Sequence, residues 1–122
     1  MERQRFSVHS RLRSFSYAFA GIRQFLIREH NARIHLAATI CVIITGLVLH
    51  VSVVEAAVLA IVTGIVWITE MLNTCIERIM DFAHPEDHPH IKFIKDLAAG
   101  AVLVAAFTAV VAGLLIFIPK LL

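Results

Sequence analysis

The chain has 122 residues, of which 59% are hydrophobic and 16% charged, and its mean hydropathy is +0.82. Soluble domains use roughly 45 to 50% apolar residues, so this composition excludes an ordinary water-soluble fold and points to a membrane protein. The formal net charge is only +2, so the placement of charge along the chain matters more than its sum, and no nucleic-acid partner is expected.

In chain order, Arg3, Arg5, Arg11, Arg13, Arg23, Arg28 and Arg33 all precede the first apolar run. Phe15, Phe19, Ile22 and Leu26 recur at helical spacing beside Ala18 and Phe25, while Arg13, Ser14, Ser16, Gln24 and Arg28 fall mainly elsewhere. This pattern predicts an amphipathic helix on the cytoplasmic leaflet, within an N-terminal segment 1–33. A mitochondrial presequence would share the Arg and Ser content. It is set aside because Glu29, Asn31 and Arg33 are expected to carry the helix into the first span without a processing break. No compact apolar stretch with a cleavage site precedes that span, which must itself direct insertion.

Three apolar runs follow, Ile34 to Leu49, Val53 to about Asn73 and Leu97 to Ile118. A helix needs about 20 such residues to cross the hydrocarbon core, so spans of about 34–50, 53–77 and 97–118 are predicted, forming one domain over 34–122. The connection His50 to Ser52 lacks Lys and Arg, whereas Arg78, Lys92 and Lys95 flank the second connection. The positive-inside rule then puts the N-terminus and the 78–96 loop in the cytoplasm, with His50 and the C-terminus outside. Cys41 and Cys75 read as small apolar packers. In the third span Ala98, Ala101, Ala105, Ala109 and Ala112 lie on one face, which lets helix backbones approach closely.

The second span carries the chemistry. At about 100° per residue, Glu70, Asn73, Glu77 and Asp81 fall at about 0°, 300°, 340° and 20°, a single polar stripe. A helix end emerging into water explains Glu77 and Asp81. It does not explain Glu70 and Asn73, because an ionised carboxylate at membrane depth must be paired, hydrated or in a protein interface. Oxygen ligands on one face suit a hard cation such as Mg²⁺. Glu29 is a candidate second contributor, although an ion pair with Arg33 four residues on would serve it equally. Lys95 and Asp96 open the third span at the same level. There a lysine could neutralise a polyphosphate or simply snorkel to the interface.

The loop HPEDHPH, residues 84–90, is broken by Pro85 and Pro89. Its His84, His88 and His90 read as a solvated turn or, alternatively, as a metal tract. No Walker loop or dinucleotide fingerprint is present. On residues alone the site supports metal-assisted chemistry on a lipid head group or the passage of an ion.

Taken together, Tyr17 and Gly21 to Arg23, the run Glu29 to His35, the ExxNxxxE block from Glu70 to Glu77, and KDxxxGAV from Lys95 to Val102 resemble the prokaryotic diacylglycerol kinase family, including its undecaprenol kinase members. The resemblance covers Arg11 to Pro119. It implies an N-terminal surface helix, three spans, and a homotrimer in a bacterial inner membrane with active sites between neighbouring subunits at the cytoplasmic face. It also implies transfer of the γ-phosphoryl group of ATP, with Mg²⁺, to a membrane lipid alcohol. On this resemblance Glu70 is the general base, Asn73 supports it, and Glu29 and Glu77 hold Mg²⁺ against the nucleotide. Tyr17, Glu86, His88, Lys95 and Asp96 join the nucleotide site, and Arg23, Arg33, Glu70 and Ala99 meet the lipid. The loop departs from the more usual tyrosine-containing stretch but keeps Glu86 and His88. The helix motifs look closer to the undecaprenol branch than to the diacylglycerol branch. Two other readings stand beside this one: a small oligomeric ion or proton conduit using the intramembrane carboxylates, and a non-catalytic assembly partner with the same fold.

Overall fold

The computed structural model describes residues 5–122, so Arg3 lies outside the described residues. Four helices follow in order: α1 (Val8–Arg28), α2 (His30–Val48), α3 (Val53–Ala83) and α4 (Pro89–Leu121). The last three are long and apolar enough to cross a membrane.

α1 starts where the Ser7 side chain accepts a hydrogen bond from the Ser10 N–H at 3.3 Å, satisfying one of the free donors of the first turn. It ends at Glu29, whose N–H still bonds the Phe25 carbonyl at 2.9 Å while its own backbone is extended. The expected helix running unbroken through Glu29, Asn31 and Arg33 is therefore corrected: one extended residue separates α1 from α2. The Glu29 side chain does not cap α2, because it pairs with Arg78 on α3 instead.

At the other end of α2 the Leu49 and Val51 N–H groups bond the Thr45 and Gly46 carbonyls at 2.9 and 3.1 Å. His50 between them is left-handed, at φ 53°. This is a Schellman closure, with His50 where glycine is usual. Val51 folds back on Gly46, and a Cβ there would meet Val51 Cγ2 at 3.5 Å.

α3 opens with a reciprocal cap: the Glu55 N–H bonds Ser52 Oγ at 3.1 Å and the Ser52 N–H bonds Glu55 Oε1 at 2.9 Å. At 31 residues it is about 46 Å long, more than the roughly 30 Å hydrocarbon core, so it carries Asp81 past the expected boundary still in helical register. α4 also starts earlier than the expected span. Pro89 takes its first turn, where the missing N–H costs nothing, and the His88 ring accepts from the His90 N–H at 3.1 Å. The second connection thus shrinks to residues 84–88.

α3 packs most extensively on α4, less on α2, and α1 packs on α2. Ala105 is buried and Ala98, Ala109 and Ala112 are half-buried, so four of the five stripe alanines turn inward while Ala101 stays exposed. The core of one chain is thin. Its buried apolar side chains among the described residues are Phe25, Ala32, Leu59, Val66 and Ala105, while outward residues such as Leu103 are 71% exposed. Lipid or further protein must cover the rest, as expected of membrane helices. Cys41 and Cys75 are free and exposed, so they pack no core within the single chain.

Candidate functional site

The polar stripe of α3 begins at Glu70, which is 4% exposed. Two side chains of α2 meet its carboxylate. Asn31 Nδ2 donates to Oε1 at 3.4 Å, and His35 Nε2 lies 3.3 Å from Oε2. They stand one helical turn apart, so one face of α2 supplies both. Neither Lys nor Arg reaches Glu70 among the described residues. His35 is itself braced: its ring packs against Trp67 at 6.4 Å between centroids. Trp67 Nε1 donates to Thr39 Oγ1 at 2.8 Å, and that hydroxyl donates to the His35 carbonyl at 2.7 Å. Phe25 packs against Trp67 in an edge contact at 6.3 Å, which ties α1 to the same spot.

One turn further along α3, Asn73 is 7% exposed. Its Nδ2 donates to Glu77 Oε1 at 3.4 Å, but its Oδ1 is buried without a partner among the described residues. An unpaired buried oxygen costs about 1 to 3 kcal/mol, so a ligand or water that supplies a positive partner would be welcome there. Beyond it Arg78 pairs with Glu29, displacing the alternative pairing of Glu29 with Arg33. The donor chemistry of Asn73 Oδ1, Glu77 and Glu29 is all oxygen, as Mg²⁺ requires. No three His, Cys, Asp or Glu side chains among the described residues form a complete metal cage. Mg²⁺ in nucleotide sites takes its remaining ligands from phosphates and water, so the residues fit such an ion.

Asp81, the last member of the stripe, pairs with Lys95 across the α3–α4 hairpin, and Lys92 pairs with Asp96 one turn away. These residues, with Glu86 and His88, line a cleft of about 600 Å³. The histidines of the loop do local work. His84 Nδ1 lies 2.9 Å from the Glu86 carbonyl, His88 caps α4, and the His88 and His90 rings stack at 5.3 Å. They build a turn; no metal-holding group forms from them.

In one chain Glu29 and Glu70 lie where α3 meets the start of α2, Asn73 and Glu77 follow along the stripe, and Glu86, His88, Lys95 and Asp96 stand around the hairpin cleft. Tyr17, Arg23, Arg33 and Ala99 are exposed and do not line that cleft. Sequence reasoning missed Asn31, His35 and Arg78. The spacing of Asn31 and His35 on one face of α2 was the available signal.

Fold and site together define a small helical membrane protein with a buried carboxylate and an oxygen-rich polar face towards one end of α3. Residues 16–117 match the sequence profile of the family described as prokaryotic diacylglycerol kinase, and the chain belongs to that family. It is 40% identical over 110 residues to the diacylglycerol kinase of Synechocystis sp., covering 89% of this chain and 63% of that relative. It is 39% identical over 109 residues to the undecaprenol kinase of Bacillus subtilis, covering 89% of each. It is 28% identical over 100 residues to the diacylglycerol kinase of Escherichia coli, covering 82% of each. The chain therefore spans less than two thirds of the length of the Synechocystis relative.

Proposed function

We propose that this chain is an ATP-dependent lipid kinase of the bacterial inner membrane, with undecaprenol the favoured acceptor and diacylglycerol the second. The observation that carries it is Glu70: a buried carboxylate near the membrane-exit end of an apolar helix, held by two side-chain nitrogens and neutralised by no Lys or Arg among the described residues. Family membership and the kinase names of the relatives support the same reading.

A base that serves a lipid hydroxyl must lie at bilayer depth, within hydrogen-bond reach of it. In the proposed reaction the hydroxyl oxygen attacks the γ-phosphorus, the bond to the ADP oxygen breaks, and the hydroxyl proton passes to Glu70. Asn73 supports that carboxylate through its position one turn along α3. Phosphoryl transfer needs positioning and charge neutralisation more than covalent catalysis. Lys95 contributes positive charge, with Tyr17, Glu86, His88 and Asp96 as further nucleotide contacts. Glu29 and Glu77 would hold Mg²⁺, which supplies charge neutralisation at the phosphates. Arg23, Arg33 and Ala99 are assigned to the lipid. The thin single-chain core supports a homotrimer, in which neighbours complete each other's sites. The exposed Phe15 and Phe19 support an α1 resting on the leaflet, and the Arg-rich start supports a cytoplasmic N-terminus and active site.

Purified protein in mixed micelles, given labelled MgATP and either undecaprenol or diacylglycerol, is expected to make the lipid phosphate, faster with undecaprenol. No turnover of either lipid would overturn the proposal, and ATP-independent ion flux in liposomes would favour a conduit instead.

A further inference from the structure

We propose that His35 is the positioning residue that aims the Glu70 carboxylate at the lipid hydroxyl, an inference that rests on the kinase reading above.

A carboxylate at the end of a long, rotatable side chain is a poor base unless its lone pairs are aimed, because displacement by about 1 Å can cost on the order of a hundredfold in rate. Glu70 has one holder per oxygen: the Asn31 amide at Oε1 and the His35 ring at Oε2. With the proton on Nε2 the ring donates to Oε2 and stops rotation of the carboxylate about its last bond. Each oxygen keeps a lone pair free for the incoming proton. Arg or Lys in the same place would hold the group equally well but would draw charge from it and weaken it as a base.

What marks His35 as more than a passing neighbour is that its own position is over-determined. Its ring lies against Trp67, one turn before Glu70 on the same face of α3, so α3 grips the imidazole at two points. Its backbone carbonyl accepts from Thr39 Oγ1, and that hydroxyl accepts from Trp67 Nε1. Phe25 from α1 also packs edge-on against the indole. Three helices thus converge to place one imidazole nitrogen 3.3 Å from one carboxylate oxygen. A helix–helix contact made for packing alone would be met more cheaply by apolar side chains, since buried polar groups add desolvation cost.

The test compares the wild type with His35→Leu and His35→Gln in the micelle assay with undecaprenol and MgATP, measuring kcat, both KM values and the thermal midpoint. His35→Leu is expected to lower kcat by about 10- to 100-fold while both KM values stay within about twofold. His35→Gln, whose amide can reach the same oxygen, is expected to recover most of that loss. Wild-type kcat in His35→Leu, an effect confined to KM, or a Gln variant no better than Leu would overturn the inference while leaving the kinase reading in place. Absence of wild-type turnover would overturn the kinase reading, and this inference with it.

Discussion

Arg78 of α3 pairs with Glu29, the single extended residue between α1 and α2. The pair fastens the bend at the mouth of the bundle to the helix that carries the site. It also sets Arg78 in competition with any metal that Glu29 would ligate. Arg78→Ala is therefore expected to lower the Mg²⁺ concentration for half-maximal activity by about threefold, the scale of a partly exposed ion pair. The thermal midpoint should hardly move, because the Arg78 side chain is 58% exposed. An unchanged Mg²⁺ titration would argue against Glu29 as a ligand.

Asp81 and Lys95 make the corresponding tie across the α3–α4 hairpin. If Lys95 serves the nucleotide, the two members of the pair should behave differently on substitution. Lys95→Ala is expected to raise KM for ATP by about tenfold or more, as loss of a charge-assisted phosphate contact does. Asp81→Ala should leave kcat within about twofold, because it removes only an exposed partner of that lysine. Equal losses in both variants would make Asp81 part of the site rather than a tether.

The stripe itself was readable from the sequence because helical period alone sets Glu70, Asn73, Glu77 and Asp81 on one face. So were the three apolar helices, since hydropathy reports directly on the solvent they need. The helix ends were not, because hydropathy marks where the bilayer stops while the helix goes on until a proline or a cap ends it. Hence α3 reaches Ala83 and α4 begins at Pro89. The bend at Glu29 was hidden for another reason. Its side-chain partner, Arg78, lies 49 residues away, and nothing in the local run Glu29 to His35 breaks a helix. His35 shows the same limit: its role depends on Trp67 and Glu70, which only tertiary packing brings to it.

Asn73 offers a sharper separation of fold from function. Its Oδ1 is buried with no partner among the described residues, an arrangement that costs a fold about 1 to 3 kcal/mol. Asn73→Leu removes the cost and keeps most of the volume. The variant is expected to melt no lower than the wild type in detergent while activity falls at least about tenfold, a trade seen where a polar group is kept for function. A collapse of the thermal midpoint would mean that the amide is there for the fold.

His50 is the converse case, a residue with strain and no part in the site. At φ 53° it occupies the left-handed position of the turn between α2 and α3, where a side chain costs about 1 kcal/mol relative to glycine. His50→Gly is expected to raise the stability by about 0.5 to 1 kcal/mol, read as a shift in the denaturation midpoint in detergent. Phosphorylation rates should stay the same, since the turn lies at the far end of the spans from Glu70.

Glu70→Gln tests the base most directly, because glutamine can occupy the same volume and keep an oxygen for Asn31 while losing the capacity to take a proton. Activity is expected to fall by about a hundredfold to ten-thousandfold, the range for loss of a general base. Stability should move the other way. A carboxylate that is 4% exposed and has no Lys or Arg partner among the described residues carries a desolvation cost that a neutral amide does not, so the thermal midpoint of Glu70→Gln should equal or exceed that of the wild type. A variant that loses activity because it melts early would mean that Glu70 holds α2 against α3. One that stays folded and inactive, with MgATP binding retained in a direct titration, is what the proposed base requires.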